Sequence, residues 1–324
     1  MDLVTGGAGF IGSHLVEELV LRGRPVRVLD NFSSGRLENL AGLLDRIEVI
    51  EADILDERAL EAAARGVERV FHQAALGSVP RSIDDPFTTN RVNVDGTLNV
   101  LRAARDAGCR RVVYASSSSV YGDGGAPVQR EDLPTRPVSP YAVSKLAAEQ
   151  YCRVFTRVYG LPTVALRYFN VFGPRQNPAS QYAAVIARFV QAALAGESLP
   201  IHGDGRQSRD FTHVRNVVLA NCLAGESDAA VGEAINIACG ERHTILDIAE
   251  TLRRILASQG VHVAWHHTGS RAGDVRNSLA DVDKAHRLLG YTPVIPFGEG
   301  LHDTLEAGAA LLDSPASAGR HSPR

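Results

Sequence analysis

The sequence predicts an α/β fold in which a doubly wound parallel sheet carries a smaller C-terminal α/β lobe. Three observations predict it. Apolar strand-like runs alternate with helix-period segments from Leu3 to Arg167, a glycine-rich turn joins the first strand to the first helix, and an acid ends the second strand. Leu3-Val4-Thr5 leads into Gly6-Gly7-Ala8-Gly9-Phe10-Ile11-Gly12, and Ser13 to Arg22 has helical periodicity. Glycines at 6, 9 and 12 permit a tight turn, close backbone approach to a diphosphate, and close helix-to-strand packing. The helix start, with Phe10 and Ile11, offers unpaired N–H donors.

The second strand, Val26 to Leu29, ends at Asp30-Asn31, where an acid can accept both hydroxyls of a ribose; this favours NAD over NADP. Arg36, after the turn residues Ser33, Ser34 and Gly35, is the one side chain that argues for a 2′-phosphate, which the Asp30 charge would repel. Ile47 to Ile50 is a third strand. Just past it, Asp53-Ile54 is placed either to meet an adenine amine or, through Asp53, to cap a helix from Glu57. Val70 to Ala75 is a fourth strand ending in small residues, Ala74 and Ala75, as expected where backbone lies against a dinucleotide; Gln73 is polar at a cofactor-facing position, and His72 reads as a packed strand histidine. Residues 85–107 and 141–159 are long helices with apolar residues on more than one face, a pattern that suits pairing across a dimer axis. Asn93, inside the first, could brace active-site backbone or serve the helix interior.

Arg111 to Ala115 is the fifth strand, and the serines at 116, 117, 118 and 119 follow it. Open α/β sheets bind ligands just past the carboxyl ends of their strands. Ser139 is a natural N-cap and Pro140 a natural first helical residue. Tyr141 and Lys145 then stand at i and i+4 on one helix face. A phenol titrates near ~10 and a lysine near ~10.4, and a close ammonium favours the phenolate. Tyr141 is therefore expected to be a usable general base near neutrality, with Lys145 lowering its proton affinity.

Thr163 to Arg167 is a sixth strand, after which the alternation breaks. Tyr182 to Ala195 reads as a helix, Leu199 to His202 as a strand, Thr244 to Ser258 as a helix and Val261 to His266 as extended chain. Residues 1–170, with about 210–240 returning to them, are expected to form the dinucleotide-binding domain; 171–209 and 241–313 the lobe; and 314–324 a disordered tail. The net charge of −3 points to neither nucleic acid nor a membrane surface. Four separated cysteines, with no C-x-x-C pair, suggest free thiols in a reducing, cytoplasmic setting. No apolar run reaches about 18 residues, so no membrane span is expected, and no histidine grouping has metal-site spacing.

With TGGAGFIG (5–12), Asp30, the serine run and Tyr141-x-x-x-Lys145 in one order, the chain resembles the extended short-chain dehydrogenase/reductases over residues 1 to about 310. RYFNVFGPRQ (167–176), GDGRQSRDF (203–211) and RAGDVRNSLAD (271–281) are similar to the UDP-hexose 4-epimerases. HQAALGSVPRS (72–82) and QYAAVIARF (181–189) look like the branch acting on UDP-N-acetylglucosamine and UDP-N-acetylgalactosamine. The resemblance implies a Rossmann-type sheet, bound NAD, a UDP-sugar substrate and a homodimer packed through the two long helices. By motif Ser117 matches the family's catalytic serine, and Tyr141 and Lys145 its base and helper. Tyr168 would lie by the nicotinamide. Ser118, Asn170, Ala184, Val185, His202, Arg209, Arg271 and Asp274 fall at positions that hold nucleotide and sugar. Ser278 stands where epimerases restricted to plain hexoses carry a bulky aromatic, which together with small Gly77 and Ala184 implies room for a 2-acetamido group. Dehydratases and decarboxylases of the family would place acids at 118 and 119, where this chain has serines. A uronate 4-epimerase is the alternative, weakened by Asn177 where a cation would be expected; a non-catalytic NAD-binding sensor is the other.

Overall fold

The computed structural model describes residues 1–122, 125–177, 185–258, 260–269 and 277–312. In chain order the first half comprises β1 (Asp2–Thr5), α1 (Phe10–Leu21), β2 (Val26–Asp30), β3 (Ile47–Glu51), α2 (Glu57–Ala64), β4 (Arg69–His72), α3 (Val79–Asp84), α4 (Pro86–Asn90), α5 (Gly96–Asp106), β5 (Arg111–Ser117) and α6 (Pro140–Tyr159). The second half comprises β6 (Thr163–Tyr168), β7 (Val171–Phe172), α7 (Val185–Leu194), β8 (Leu199–His202), β9 (Ser208–Arg209), β10 (Thr212–His213), α8 (Val214–Glu226), β11 (Ala234–Ile237), β12 (His243–Thr244), α9 (Ile245–Ala257), β13 (Trp265–Thr268), α10 (Asp283–Leu289) and α11 (Phe297–Leu312).

Seven strands form one sheet in the order β11-β6-β5-β4-β1-β2-β3, and every pairing in it is parallel. This is the doubly wound, Rossmann-type sheet that the alternating strands and helices predict. Strand alternation sends Val4, Val28, Phe71, Val113 and Leu166 to the side covered by α1 and α8, and Leu3, Leu29, Val70, Val112 and Ala165 to the side covered by α2, α5 and α6. Strand order reverses between β1 and β4, so the turns after these two strands open a crevice at the carboxyl edge of the sheet. A separate apolar core joins α7, β8, α9 and α11 around Phe189, Ile201, Leu252 and Leu301, with β8 and β13 paired in parallel.

Several boundaries differ from the sequence reading, each for a local reason. The helical run from 85 is continuous but contains one π turn, Arg91–Asp95, where Asn93 is turned inward and buried. The extended chain read at 261–266 is paired only at 265–268, opposite β8. The helix after β3 is capped by Asp56, whose carboxylate accepts from the amides of Arg58 and Ala59, not by Asp53. Helices α3, α8, α10 and α11 have no counterpart in the sequence reading. Among the described residues no helix is long and apolar enough to cross a membrane. The tail 314–324 lies outside the described residues.

Gly12 shows how tightly α1 seats on the turn before it: a Cβ there would overlap the Gly6 carbonyl oxygen and crowd Gly7 Cα at 2.8 Å. Gly12→Ala is expected to cost about 1–3 kcal/mol, the usual penalty for overpacking a filled site, read as a lower denaturant midpoint at unchanged slope.

Candidate active site

The parallel registers Thr5↔His72, His72↔Tyr114 and Ser117↔Tyr168 bring the ends of β1, β4, β5 and β6 into line along one edge of the sheet. The glycine turn occupies the middle of that edge. Gly6 adopts φ +68°, and a Cβ on it would lie 2.6 Å from the Ala74 amide, so the turns after β1 and β4 touch as bare backbone. Gly9 is the N-cap of α1 and provides no side-chain acceptor. The first amides of that helix, at Phe10, Ile11 and Gly12, are thus left as donors of the kind that hold a diphosphate. Asp30 is buried, and its two oxygens accept from the amides of Ala8 and Phe32 at 2.9 Å, which locks the acid to the glycine turn. Gly35 lies on the same carboxylate, 2.9 Å from its oxygens at the position of a Cβ. Asn31 donates to Asp53 at 2.8 Å and accepts from both the amide and the hydroxyl of Ser33, tying the β2 turn to the end of β3. Ser34 is exposed and Ile54 buried beside them. These residues fit NAD: uncapped amides for its diphosphate, an acid for its ribose, and a floor where only glycine fits.

Asn93 braces the loop after β4. Its side chain accepts from the Leu76 amide at 2.8 Å and donates to the Leu76 carbonyl and to Ser144 Oγ, so the π turn, that loop and α6 are pinned at one point. Ala75 is half-buried there, while Gly77 is exposed and open: a Cβ on it would meet nothing within 4 Å. His72 is a packed histidine, held between Thr5 Oγ1 at 2.7 Å and Thr97 Oγ1 at 2.9 Å; burial pushes its pKa down to about 3. Gln73 donates to Tyr168 Oη and to Asn221 Oδ1, and Asn221 also donates to the same phenol at 2.8 Å. The polar glutamine thus clamps Tyr168. Asn221 escaped the sequence reading, although a buried amide in apolar α8 was the signal available.

Helix α6 starts at Ser139, whose hydroxyl caps the Ala142 amide, with Pro140 in its first turn. Tyr141 and Lys145 share a face, Lys145 Nζ lying 6.0 Å from the centre of the Tyr141 ring and 5.2 Å from that of Tyr114. The buried ammonium donates to the Ala115 carbonyl at 2.9 Å. Burial lowers its pKa to about 8. Ser117 accepts from the Ser119 amide at 3.2 Å and from Ser119 Oγ at 2.8 Å, and its hydroxyl faces the Tyr141 phenol, whose proton affinity it lowers. Because Ser119 fills the lone pairs of Ser117, the Ser117 proton is left for an acceptor in the crevice. Ser118 begins the short 3₁₀ turn beyond.

One expectation is overturned. Burial raises the Tyr141 pKa, and only the Ser117 hydrogen bond opposes it. Lys145 does not bring the phenol toward neutrality, because its ammonium is aimed past the ring at the β5 carbonyl and has itself lost proton affinity to desolvation.

Across the crevice, Asn170 adopts φ 34° and donates to the Asp210 carbonyl. His202, at the end of β8, faces Thr268 Oγ1 at 2.7 Å through Nδ1, while its Nε2 has no partner among the described residues. Arg209 stands on β9, Nη1 donating to the Ser208 carbonyl, and Val185 opens α7. Ser278 is buried; its amide donates to the Ser208 carbonyl and its hydroxyl donates to Gln129 Oε1 at 3.4 Å. Gln129 was not foreseen, since nothing in its local sequence pairs it with residue 278. Ala184, Arg271 and Asp274 lie outside the described residues. No group of three or more His, Cys, Asp or Glu able to hold a metal exists among the described residues.

The model of the NAD dependent epimerase/dehydratase family matches residues 3–238. A UDP-glucose 4-epimerase of Mycolicibacterium smegmatis is 41% identical over 308 residues, covering 94% of this chain and 97% of that relative. A UDP-N-acetyl-alpha-D-glucosaminuronate decarboxylase of Bacillus cytotoxicus is 36% identical over 94% of this chain and 96% of its own length. Among solved structures, a UDP-N-acetylglucosamine 4-epimerase of Methanobrevibacter ruminantium, in complex with UDP-N-acetylmuramic acid, superposes with a TM-score of 0.90 at 40% identity, over 96% of this chain and 98% of that one. The glycine turn, Asp30 and the Ser117–Tyr141–Lys145 cluster all fall within the matched span, and the chain belongs to the NAD-dependent epimerase/dehydratase family.

Proposed function

We propose that the chain is a UDP-sugar 4-epimerase acting on UDP-N-acetylglucosamine and UDP-N-acetylgalactosamine, and on UDP-glucose and UDP-galactose. The observation that carries this reading is the meeting of Ser117, at the end of β5, with Tyr141, in the first turn of α6, at the carboxyl edge of the sheet, with no acid at 118 or 119. A dehydratase or decarboxylase needs a further acid or base there. Here Ser119 Oγ is engaged in orienting Ser117.

NAD, when bound, supplies the hydride acceptor for C4 of the sugar and a pyridinium positive charge. Tyr141 Oη would be the base for the proton of the sugar 4-hydroxyl, and Ser117 would donate a hydrogen bond to the same oxygen. Inversion at C4 would require the sugar to present its other face before the hydride is returned, and Tyr141 would then give the proton back. Electrons and protons balance with no net oxidation. Lys145 would hold the nicotinamide ribose and Tyr168 would lie by the ring, and the amides of residues 10–12 with Asp30, Asn31, Asp53 and Asn93 would build the rest of the NAD site. His202, Arg209, Asn170 and Val185, with Ala184, Arg271 and Asp274, serve the nucleotide and sugar; a forked guanidinium suits a diphosphate. Open space at Gly77 and a small Ser278 support a 2-acetamido substrate. UDP-glucuronate is the weaker alternative, since Asn177 offers its carboxylate no charge.

A homodimer is supported by exposed apolar side chains on adjacent helices. Val143, Tyr151, Val154 and Val158 form a stripe along α6, flanked by Ile83 of α3 and by Phe87 of α4, which is 86% exposed. The apolar residues of α5 are buried in the core, so the part of the 85–107 run that offers an exposed apolar side chain is α4, with α3 beside it. The four thiols, all unpaired, suit a cytoplasmic setting.

Three outcomes test these readings. Incubation with UDP-N-acetylglucosamine should yield the galacto epimer, and Ser278→Tyr should lower kcat/KM for UDP-N-acetylgalactosamine by about 10- to 100-fold, the rate equivalent of an overpacking cost of ~1–3 kcal/mol, while sparing UDP-galactose. Equal loss on both sugars removes the gate, and turnover of UDP-glucuronate alone removes the substrate assignment. In light scattering, Phe87→Asp with Val154→Asp should halve the mass; an unchanged mass refutes the helix face. Burial disfavours the phenolate, so in protein freed of NAD the ultraviolet phenolate signal, taken as the difference from Tyr141→Phe, should rise only above the ordinary phenol value of ~10, and NAD should move it down. A midpoint already below that value without NAD would show Lys145, not the cofactor, to be the activating charge.

A further inference from the structure

Behind the reacting groups lies a buried polar chain that the proton and hydride transfers do not use. Ser116 Oγ donates to Glu149 Oε2 at 2.7 Å, and Arg167 closes a two-pronged pair with the same carboxylate at 2.6 and 2.9 Å. Arg167 Nη1 donates to Tyr121 Oη at 2.8 Å, and Tyr121 Oη donates to Asn236 Oδ1 at 2.7 Å. Asn236 Nδ2 then donates to the carbonyls of Gln129 and Asp281. Glu149, Arg167 and Asn236 are 0%, 3% and 0% exposed.

Stability does not explain this chain. A buried ion pair loses in desolvation about what it gains in attraction, and apolar replacements are often as stable. What distinguishes it is where its members sit. Ser116 precedes Ser117, Glu149 is one turn beyond Lys145 on α6, and Arg167 precedes Tyr168. The far end holds Gln129, whose side chain meets Ser278. We propose that Ser116, Glu149, Arg167, Tyr121 and Asn236 are positioning residues, a relay that keeps the catalytic serine and helix in register with the wall around C2 of the sugar. The inference rests on the roles assigned above to Ser117, Tyr141 and Ser278. The two ends have different duties. The Ser116–Glu149 end holds the groups that move the proton, so loosening it acts on kcat; the Tyr121–Asn236 end holds the wall, so loosening it acts on KM.

Two variants that each delete one oxygen and strand no charge test this in the NAD-loaded enzyme. A single buried hydrogen bond contributes roughly a kilocalorie, equivalent to about five-fold. Ser116→Ala should lower kcat about three- to ten-fold and leave KM for UDP-N-acetylglucosamine within about two-fold of its normal value. Tyr121→Phe should raise that KM about five- to twenty-fold, leave kcat within about two-fold, and leave calorimetric affinity for UDP alone unchanged. A core that merely stabilised the fold would lower Tm in both variants and move neither constant. That result, or Tyr121→Phe acting on kcat in place of KM, overturns the relay. If Tyr121→Phe does not fold, Ser116→Ala decides, and an unchanged kcat overturns the proposal. Turnover by the unaltered protein judges the epimerase reading separately.

Discussion

An amine can be kept inside a protein only where something accepts its protons, and the site depends on how Lys145 meets that requirement. Its ammonium rests on the Ala115 carbonyl and over the Tyr114 ring, and Tyr114 Oη in turn donates to the Lys145 carbonyl. Both contacts come from β5, a strand with neighbours on both sides. A strand's backbone normally spends its carbonyls on the sheet. Ala115 serves the lysine as well, which carbonyl oxygen, with two lone pairs, allows. Helix α6 is thereby docked at a fixed rotation, and Tyr141, one turn earlier, is turned toward Ser117. Since the position of the phenol follows from the lysine contact, Lys145 shapes the site through geometry before any question of its charge.

That ordering explains which part of the site was legible in the sequence. Residue type and spacing predict that Tyr141 and Lys145 share a face, that the glycines at 6, 9 and 12 make a floor without side chains, and that Asp30 ends β2; each is a local statement with a local cause. The direction of the Tyr141 proton affinity is not local. It depends on how much water the phenol loses and where the ammonium points, and both follow from the packing of α6 on β5. The pair taken by itself predicts a lowered value; desolvation reverses the sign. Spacing in the sequence thus puts the two side chains on one face, while the ammonium's partner is the Ala115 carbonyl and the energetics follow from burial.

Other differences have the same origin. Asp53 and Asp56 are both acids close ahead of an apolar helical run, and either could cap it. Asp56 does so because Asp53 is committed across the sheet edge to Asn31 and to the Leu55 amide. The strand at 265–268 is set by the position of β8, more than sixty residues earlier in the pairing Trp265↔Leu199, so no periodicity within 261–266 could locate it. Helix α3 is a short element begun by Ser78 and Pro80, below the length at which helical periodicity can be distinguished from a loop. Its exposed Val79 and Ile83 became meaningful only beside α4 and α6.

The surroundings of Ser278 show most clearly what sequence cannot convey. Small residues at 77 and 278 suggest room, yet room is defined by what surrounds it. Ser278 is flanked by Gln129, a residue almost 150 positions away in the chain, and Gln129 is held through backbone bonds to Leu279 and Asp281 as well as by Asn236. A serine hydroxyl tied to a fixed carboxamide is a wall of definite position, whereas a free serine would only be a gap. The substitution of a large residue by a small one can widen a pocket in any relative, but discrimination between sugars requires that the enlarged space keep its shape while the 4-keto sugar turns within it. In this chain segments 127–131 and 277–282 are joined by backbone hydrogen bonds and anchored on β11, at the edge of the same sheet that carries Ser117 and Tyr168.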